Sequence, residues 1–329
     1  MSKKSKRRAD VKSSILILLL IAILLIASTY AWFTANTQVT ISTLDVNVKA
    51  QNGLQISADG TNWKTILQNT DIDPTAVSTT YSGNVNQIPT VMEPVSTIGT
   101  IAADGKMNMF YGTVTSNVSG DYQLTASKLT DTKGAGDTAG KYIAFDTFLR
   151  VDKDSPLTLT ANSNVMAKEG TTSKGLENAA RVAFCVLGNT AAGSDITTIQ
   201  GLNDTASATS YIWEPNSDVH TAAGISNAND VYGLTTTAGP DAAALAYNGV
   251  KAEITSPVAL ASSDTNYFGA VTPQYKTKKA MTDTQMFTLK AGITKVRIYM
   301  WVEGQDVDCE NSASGSDIAY NVQFSIPGN

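Results

Sequence analysis

Thr294-Lys295-Val296-Arg297-Ile298-Tyr299-Met300-Trp301-Val302-Glu303 alternates apolar with polar over most of its length. Successive side chains of a strand point to opposite faces, so a period of two marks a β-strand. The same reading recurs outward from it. Tyr142 to Val151 is apolar enough to lie in a core, and Asp152-Lys153-Asp154-Ser155-Pro156 breaks it. Leu157-Thr158-Leu159-Thr160 resumes the alternation, and Leu176 to Ala180 reads as one helical turn leading into a buried strand, Arg181 to Leu187. Ile318 to Ile326 is a last strand, and Val39 to Val48 a first one. Asn52-Gly53 and Asp59-Gly60 are turn signals around Leu54 to Ser57. Many short strands with almost no helical period predict an all-β chain, an antiparallel sandwich.

Three stretches read as irregular. Asn69 to Met92 is polar with Pro74 and Pro89, and predicts a long surface loop. Thr125 to Lys141, with Gly134, Gly136 and Gly140, predicts another. Residues 189–247 are rich in Ala, Thr, Gly, Asn and Asp, and predict an insertion between core strands, anchored by Tyr211 and Trp213.

The N-terminus sets the destination. Lys3, Lys4, Lys6, Arg7, Arg8 and Lys12 precede Ile15 to Ala27, an apolar run of 13 residues. Positive charge, a short apolar run and small residues match a secretory signal peptide. Cleavage after Ala31, with Thr29-Tyr30-Ala31 as the small–x–small site, would make residues 1–31 the signal peptide and release a chain starting at Trp32. Counted on through Phe33, the run is 19 residues, which also suffices for a membrane anchor. Both readings place the rest of the chain outside the cell or on its surface, with membrane contact only through an uncleaved N-terminal helix.

The whole chain carries −5; its first 31 residues hold six basic side chains and one acid, which leaves −10 on the remainder. That charge repels nucleic acid and anionic lipid, so neither is an expected partner. Charged residues make up 16% of the chain, below the usual quarter, and uncharged polar residues take their place. This is the composition of an extracellular β-protein.

Candidates for chemistry are few. Cys185 and Cys309 are an even count in an exported chain, and read either as one disulfide or as two buried thiols. His220 is the single histidine, expected in a solvated loop, and it leaves a His-dependent triad or a His-rich zinc site without ligands. Asp306, Asp308 and Glu310 alternate as oxygen donors that could hold calcium, against the plainer reading as solvated turn acids; no other cofactor is expected. Glu303 and Asp306 could be posed as a glycosidase pair, but no aromatic-lined cleft is visible beside them. The chain reads as a non-enzyme.

Three pieces together resemble a known family: the apolar run ending in Thr29-Tyr30-Ala31-Trp32-Phe33-Thr34 with Val39 to Val48, the run Leu176 to Phe184, and Val296 to Cys309. They look like the TasA/camelysin-like surface proteins of Gram-positive bacteria, whose signal peptides are cut by a dedicated SipW-type peptidase. The resemblance covers about a third of the chain. It implies a jelly-roll-like β-sandwich over residues 51–329, interrupted by the insertion at 189–247, that assembles with copies of itself into extracellular matrix fibres. It also implies that the strand in residues 32–50, with Trp32, Phe33, Val39, Ile41, Leu44, Val46 and Val48, is donated to the neighbouring subunit. The segment's own chemistry allows this, since a free amphipathic strand can complete another sheet's edge, and equally allows it to fold back into its own sandwich. The alternative to a fibre subunit is a membrane-anchored monomeric surface protein or adhesin. Camelysin-like members have been linked to protease activity, but the chain has no His-Glu-x-x-His to hold the zinc.

Overall fold

The computed structural model of this chain describes residues 39–48 by backbone alone, and residues 53–119, 121–229, 233–259 and 264–327. The expected signal or anchor helix, the cleavage site at Tyr30 and Ala31, and Trp32 and Phe33 lie outside the described residues.

The described chain is mostly β, in several sheets, with a few short helices. One large sheet runs β18 (Thr284–Leu289), β10 (Ser155–Leu159), β20 (Asp317–Ser325), β1 (Val39–Val48), β3 (Ile66–Leu67), with β11 (Asn164–Ala167) also on β20 and β5 (Val91–Met92) also on β1. The second runs β17 (Tyr275–Lys276), β13 (Thr209–Glu214), β12 (Ala180–Thr190), β19 (Gly292–Val302), β9 (Ile143–Val151), β4 (Gln87–Ile88), β8 (Gly134–Ala135), with β2 (Gln55–Ser57) also on β9. Smaller ladders are β6 (Phe110–Ser116), β7 (Tyr122–Lys128) and β15 (Ile254–Ala259), and the pair β14 (Tyr247–Val250) and β16 (Phe268–Val271). Pairing is not wholly antiparallel as expected: β1 runs parallel to β20, β13 to β17, and β4 to β8.

The two large sheets share one core. Leu157, Leu159, Ile318, Tyr320, Val322 and Phe324 of the first meet Phe145, Val182, Phe184, Ile298, Met300 and Val302 of the second. The Phe184 and Phe324 rings meet edge to face, centroids 5.5 Å apart, a favoured geometry for aromatic quadrupoles. β20 alternates strictly between buried and half-buried residues, as a strand with one face in the core should. β19 is buried at all eleven positions because its sheet is covered on both faces. Its second face packs Tyr299 and Trp301 with Ala183, Cys185 and Leu187 of β12, under a layer that includes Val95, Met107 and Met109. The tight entry to β19 requires Gly292: its φ is +109°, and a Cβ there would sit 2.2 Å from the Thr190 carbonyl oxygen.

The irregular stretches are more structured than expected. Residues 69–92 hold α1 (Asn69–Ile72), α2 (Pro74–Ser78), β4 and β5. The Asp73 side chain caps α2 by accepting from the Thr75 and Ala76 amides, and Pro74 opens it, a start signal within the polar run. β7 runs to Lys128, so the expected loop from Thr125 begins as strand. The 189–247 region carries α3 (Ile196–Gln200), β13, α4 (Ala222–Asn227) and the start of β14. β13 pairs with β12 over five residues from Val182↔Trp213 to Val186↔Thr209, so this region extends the second sheet.

Candidate functional site

Among the described residues, two places carry functional candidates. The first is the position of β1. It lies between β20 on one side and β3 and β5 on the other. The β20 ladder is parallel and includes Ile41↔Ile318, Leu44↔Tyr320, Val46↔Val322 and Val48↔Phe324. The sequence explains this register. Val39 and Ile41 fall on odd positions and Leu44, Val46 and Val48 on even ones, so the alternation breaks phase once. The ladder shifts register between Ile41 and Thr43, and the bulge absorbs the break. Each of these four apolar positions therefore stands opposite a buried residue of β20. Val39 pairs with Met92 of β5. The next described strand after β1 is β2, in the other sheet, and among the described residues no strand precedes β1.

The second place is a buried charge centre that the sequence did not disclose. Arg181, at the start of β12, is fully buried. Its Nη2 donates to Asp306 Oδ2 at 2.5 Å and to Glu214 Oε1 at 3.1 Å, and its Nη1 donates to the Asn178 and Ala180 carbonyls. The Tyr247 ring lies 5.2 Å from the guanidinium carbon. Asp308 bonds His220 Nδ1 at 2.7 Å and accepts from the Thr221 amide at 2.8 Å. Glu303 accepts from the Trp301 indole and from the Gln305 amide, each at 3.1 Å. Burial draws the His220 imidazolium toward neutrality, but its hydrogen bond to Asp308 and the Asp308 charge outweigh this and push it up to about 9. Burial pushes the Glu303 carboxyl up to about 7, against the hydrogen bonds from Ser96, Trp301 and Gln305. Burial also raises Glu214, opposed by Arg181 and reinforced by the Asp306 charge.

A similar network pins the outer layer at the far end of the same sheet face. Arg297 Nε and Nη2 grip Asp146 at 2.7 and 3.2 Å, and the Tyr81 hydroxyl donates to Asp146 at 2.8 Å. Lys295 Nζ donates to Tyr81 Oη and to the Gln200 carbonyl, and Arg297 Nη1 to the Gly105 carbonyl. The sheet is thereby tied to two covering loops and to the end of the helix Ile196–Gln200.

Several expectations are corrected. His220 is not a solvated loop residue; it is buried and paired with Asp308. Of the two readings of Cys185 and Cys309, the structure shows the second, two free and buried thiols, and not the disulfide. The alternation of β12 turns Cys185 onto the sheet's outer face, while Cys309 packs in the core between the sheets. Asp306, Asp308 and Glu310, the calcium candidates, are buried rather than solvated acids. Asp306 faces Arg181, Asp308 faces His220 and Thr221, and Glu310 caps the turn at Ser312. Glu303 and Asp306, the conceivable glycosidase pair, are both buried, and Asp306 is held by Arg181.

The missed centre had one faint signal: Arg181, Lys295 and Arg297 are charges inside strands that otherwise read as buried. Buried charges need partners, but their acidic partners lie 33 to 151 residues away along the chain. Compared with protein families, curated proteins and solved structures, the chain matches none. Among the described residues, no helix is long and apolar enough to cross a membrane.

Proposed function

We propose that this chain is a TasA/camelysin-like, jelly-roll-like subunit of an extracellular or cell-surface fibre, assembled when each copy donates β1 to the next. The observation that carries the reading is the seat of β1 between β20 and the short strands β3 and β5. When β1 leaves its slot it opens the β20 edge and frees β3 and β5 from their pairings. The same segment of a second copy restores the same ladder, so exchange conserves the hydrogen bonds of the pairing. Concentration then favours the linked form, as in domain swapping, and a copy that gives its strand to one neighbour and takes one from another makes a head-to-tail contact, which grows into a filament where it does not close on itself. Cleavage after Ala31 by a signal peptidase supplies the free end. The partner is a second copy of the chain, and the reading assigns no catalytic step.

A second reading is a monomeric, membrane-anchored surface protein or adhesin. It is favoured by the pairing of β1 within its own chain. N-terminal sequencing of the product outside the cells, with its mass in solution, separates the two. A start at Trp32 and a polydisperse high mass support the fibre. An intact N-terminus in the membrane fraction and a monomer mass support the anchored protein.

A further inference from the structure

The buried centre around Arg181 contains more carboxylates than cations. The four carboxylates Glu214, Glu303, Asp306 and Asp308 surround two buried cationic side chains, Arg181 and His220, and all six residues are at most 8% exposed. The groups come from every element packed there. β12 contributes Arg181; β13 contributes Glu214; the 216–221 turn contributes His220; β14 contributes Tyr247. The segment after β19 contributes Glu303, Asp306, Asp308, Cys309 and Glu310, and Lys276 of β17 lies close enough to act on Glu214. Tyr247 and Cys309 add no positive charge; burial pushes the protonated forms of both up. The Glu310 carboxylate is occupied by the Ser312 amide. Three buried polar atoms of the centre, Glu214 Oε2, Arg181 Nε and Tyr247 Oη, have no hydrogen-bond partner, so the cluster is not fully satisfied as an ionised network.

Like charges gathered in a water-poor site cannot all ionise at low cost, and the cheapest relief is to keep a proton. Glu303 is the member placed to hold it. It alone of the four carboxylates has no cation hydrogen-bonded to it; its partners are an indole, a backbone amide and the Ser96 hydroxyl. The centre joins the 189–247 region to the body of the sandwich: Glu214, His220 and Tyr247 come from that region and Arg181, Glu303, Asp306 and Asp308 from outside it.

We infer that this centre is a proton-operated lock on the 189–247 region, closed when the Glu303 carboxyl carries a proton and loosened when that proton passes to solvent. The sign follows from linkage. An acid whose carboxyl is raised in the locked form stabilises that form at low pH, and the stabilisation is lost between its ordinary value near 4.5 and its raised value of about 7. The lock is thus tight in mildly acid surroundings and looser at neutral pH and above. It does not depend on whether β1 is donated, so a fibre subunit and a monomer would both have it.

Hydrogen–deuterium exchange of the released chain, corrected for the intrinsic pH dependence of exchange, tests this between pH 5 and 8. Peptides covering Thr209–Glu214 and the His220 turn should lose protection by roughly one to two orders of magnitude as pH rises, while β9 and β20 hold theirs. Glu303→Gln keeps the size and a polar head but cannot ionise, so between pH 5 and 6.5 its peptides should show a flat profile. An unchanged profile in E303Q, or wild-type protection that does not fall with pH, would overturn the lock. Protection that follows added calcium at fixed pH, rather than pH itself, would also overturn it, because a cation would then be balancing the carboxylates.

Discussion

Asp146 is fully buried and yet ionised, because Arg297 grips both of its oxygens and Tyr81 donates to one of them. Burial alone would raise its carboxyl; Arg297 and Lys295 reverse this and bring it down to about 2. Removing Arg297 leaves a buried carboxylate with only Lys295, 3.5 Å away, to balance its charge, so Arg297→Met should cost about 3–5 kcal/mol, read as a lower urea midpoint at unchanged slope. The two kinds of shift predict a stability profile. The Asp146 contribution is complete above the ordinary aspartate value and is lost as pH falls through about 2. The His220 contribution has the opposite sign: it is complete below 6.5 and is lost as pH rises through about 9. Thermal melts from pH 3 to 10 should therefore peak at mildly acid pH. His220→Gln should flatten the decline between pH 6.5 and 9, whereas an unchanged decline would mean that Asp308 does not hold the imidazolium.

At the scale of elements, the strands that read most clearly were those with one kind of neighbour on each face. β20 alternates because one face is in the core, and β19 was located from alternation although it is buried throughout. What β19 concealed is that its polar positions, Lys295 and Arg297, face a second buried layer rather than solvent. Local pattern reports polarity, and only the long-range partners Asp146, Tyr81 and Gln200 make that polarity compatible with burial. The same limit applies to His220 and Asp308, 88 residues apart, and to the two cysteines, whose count said nothing of which sheet face each would occupy. The phase break in β1 was visible as residues, but its resolution by a bulge depends on β20, at the other end of the chain. The core contact between the sheets makes its own prediction. Phe324 packs edge to face on Phe184, and Phe324→Ala should cost about 3–5 kcal/mol in chemical denaturation. A loss under 1 kcal/mol would mean that the two sheets do not depend on this contact.

For the molecule as a whole, both faces of the second sheet are covered, and its outermost strands β17 and β8 are two residues each. Such short edges offer little backbone for pairing with another chain. The first sheet differs, since its central ladder is completed by β1, the first described strand of the chain. Assembly by strand exchange would therefore proceed through that sheet and leave the pairing order of the second sheet unchanged. The most direct measurement is negative-stain electron microscopy of two purified chains, one starting at Trp32 and one at Lys49, at the same concentration. Strand donation predicts filaments from the first and separate particles from the second. Filaments from the chain that lacks β1, or none from the chain that has it, would contradict strand donation.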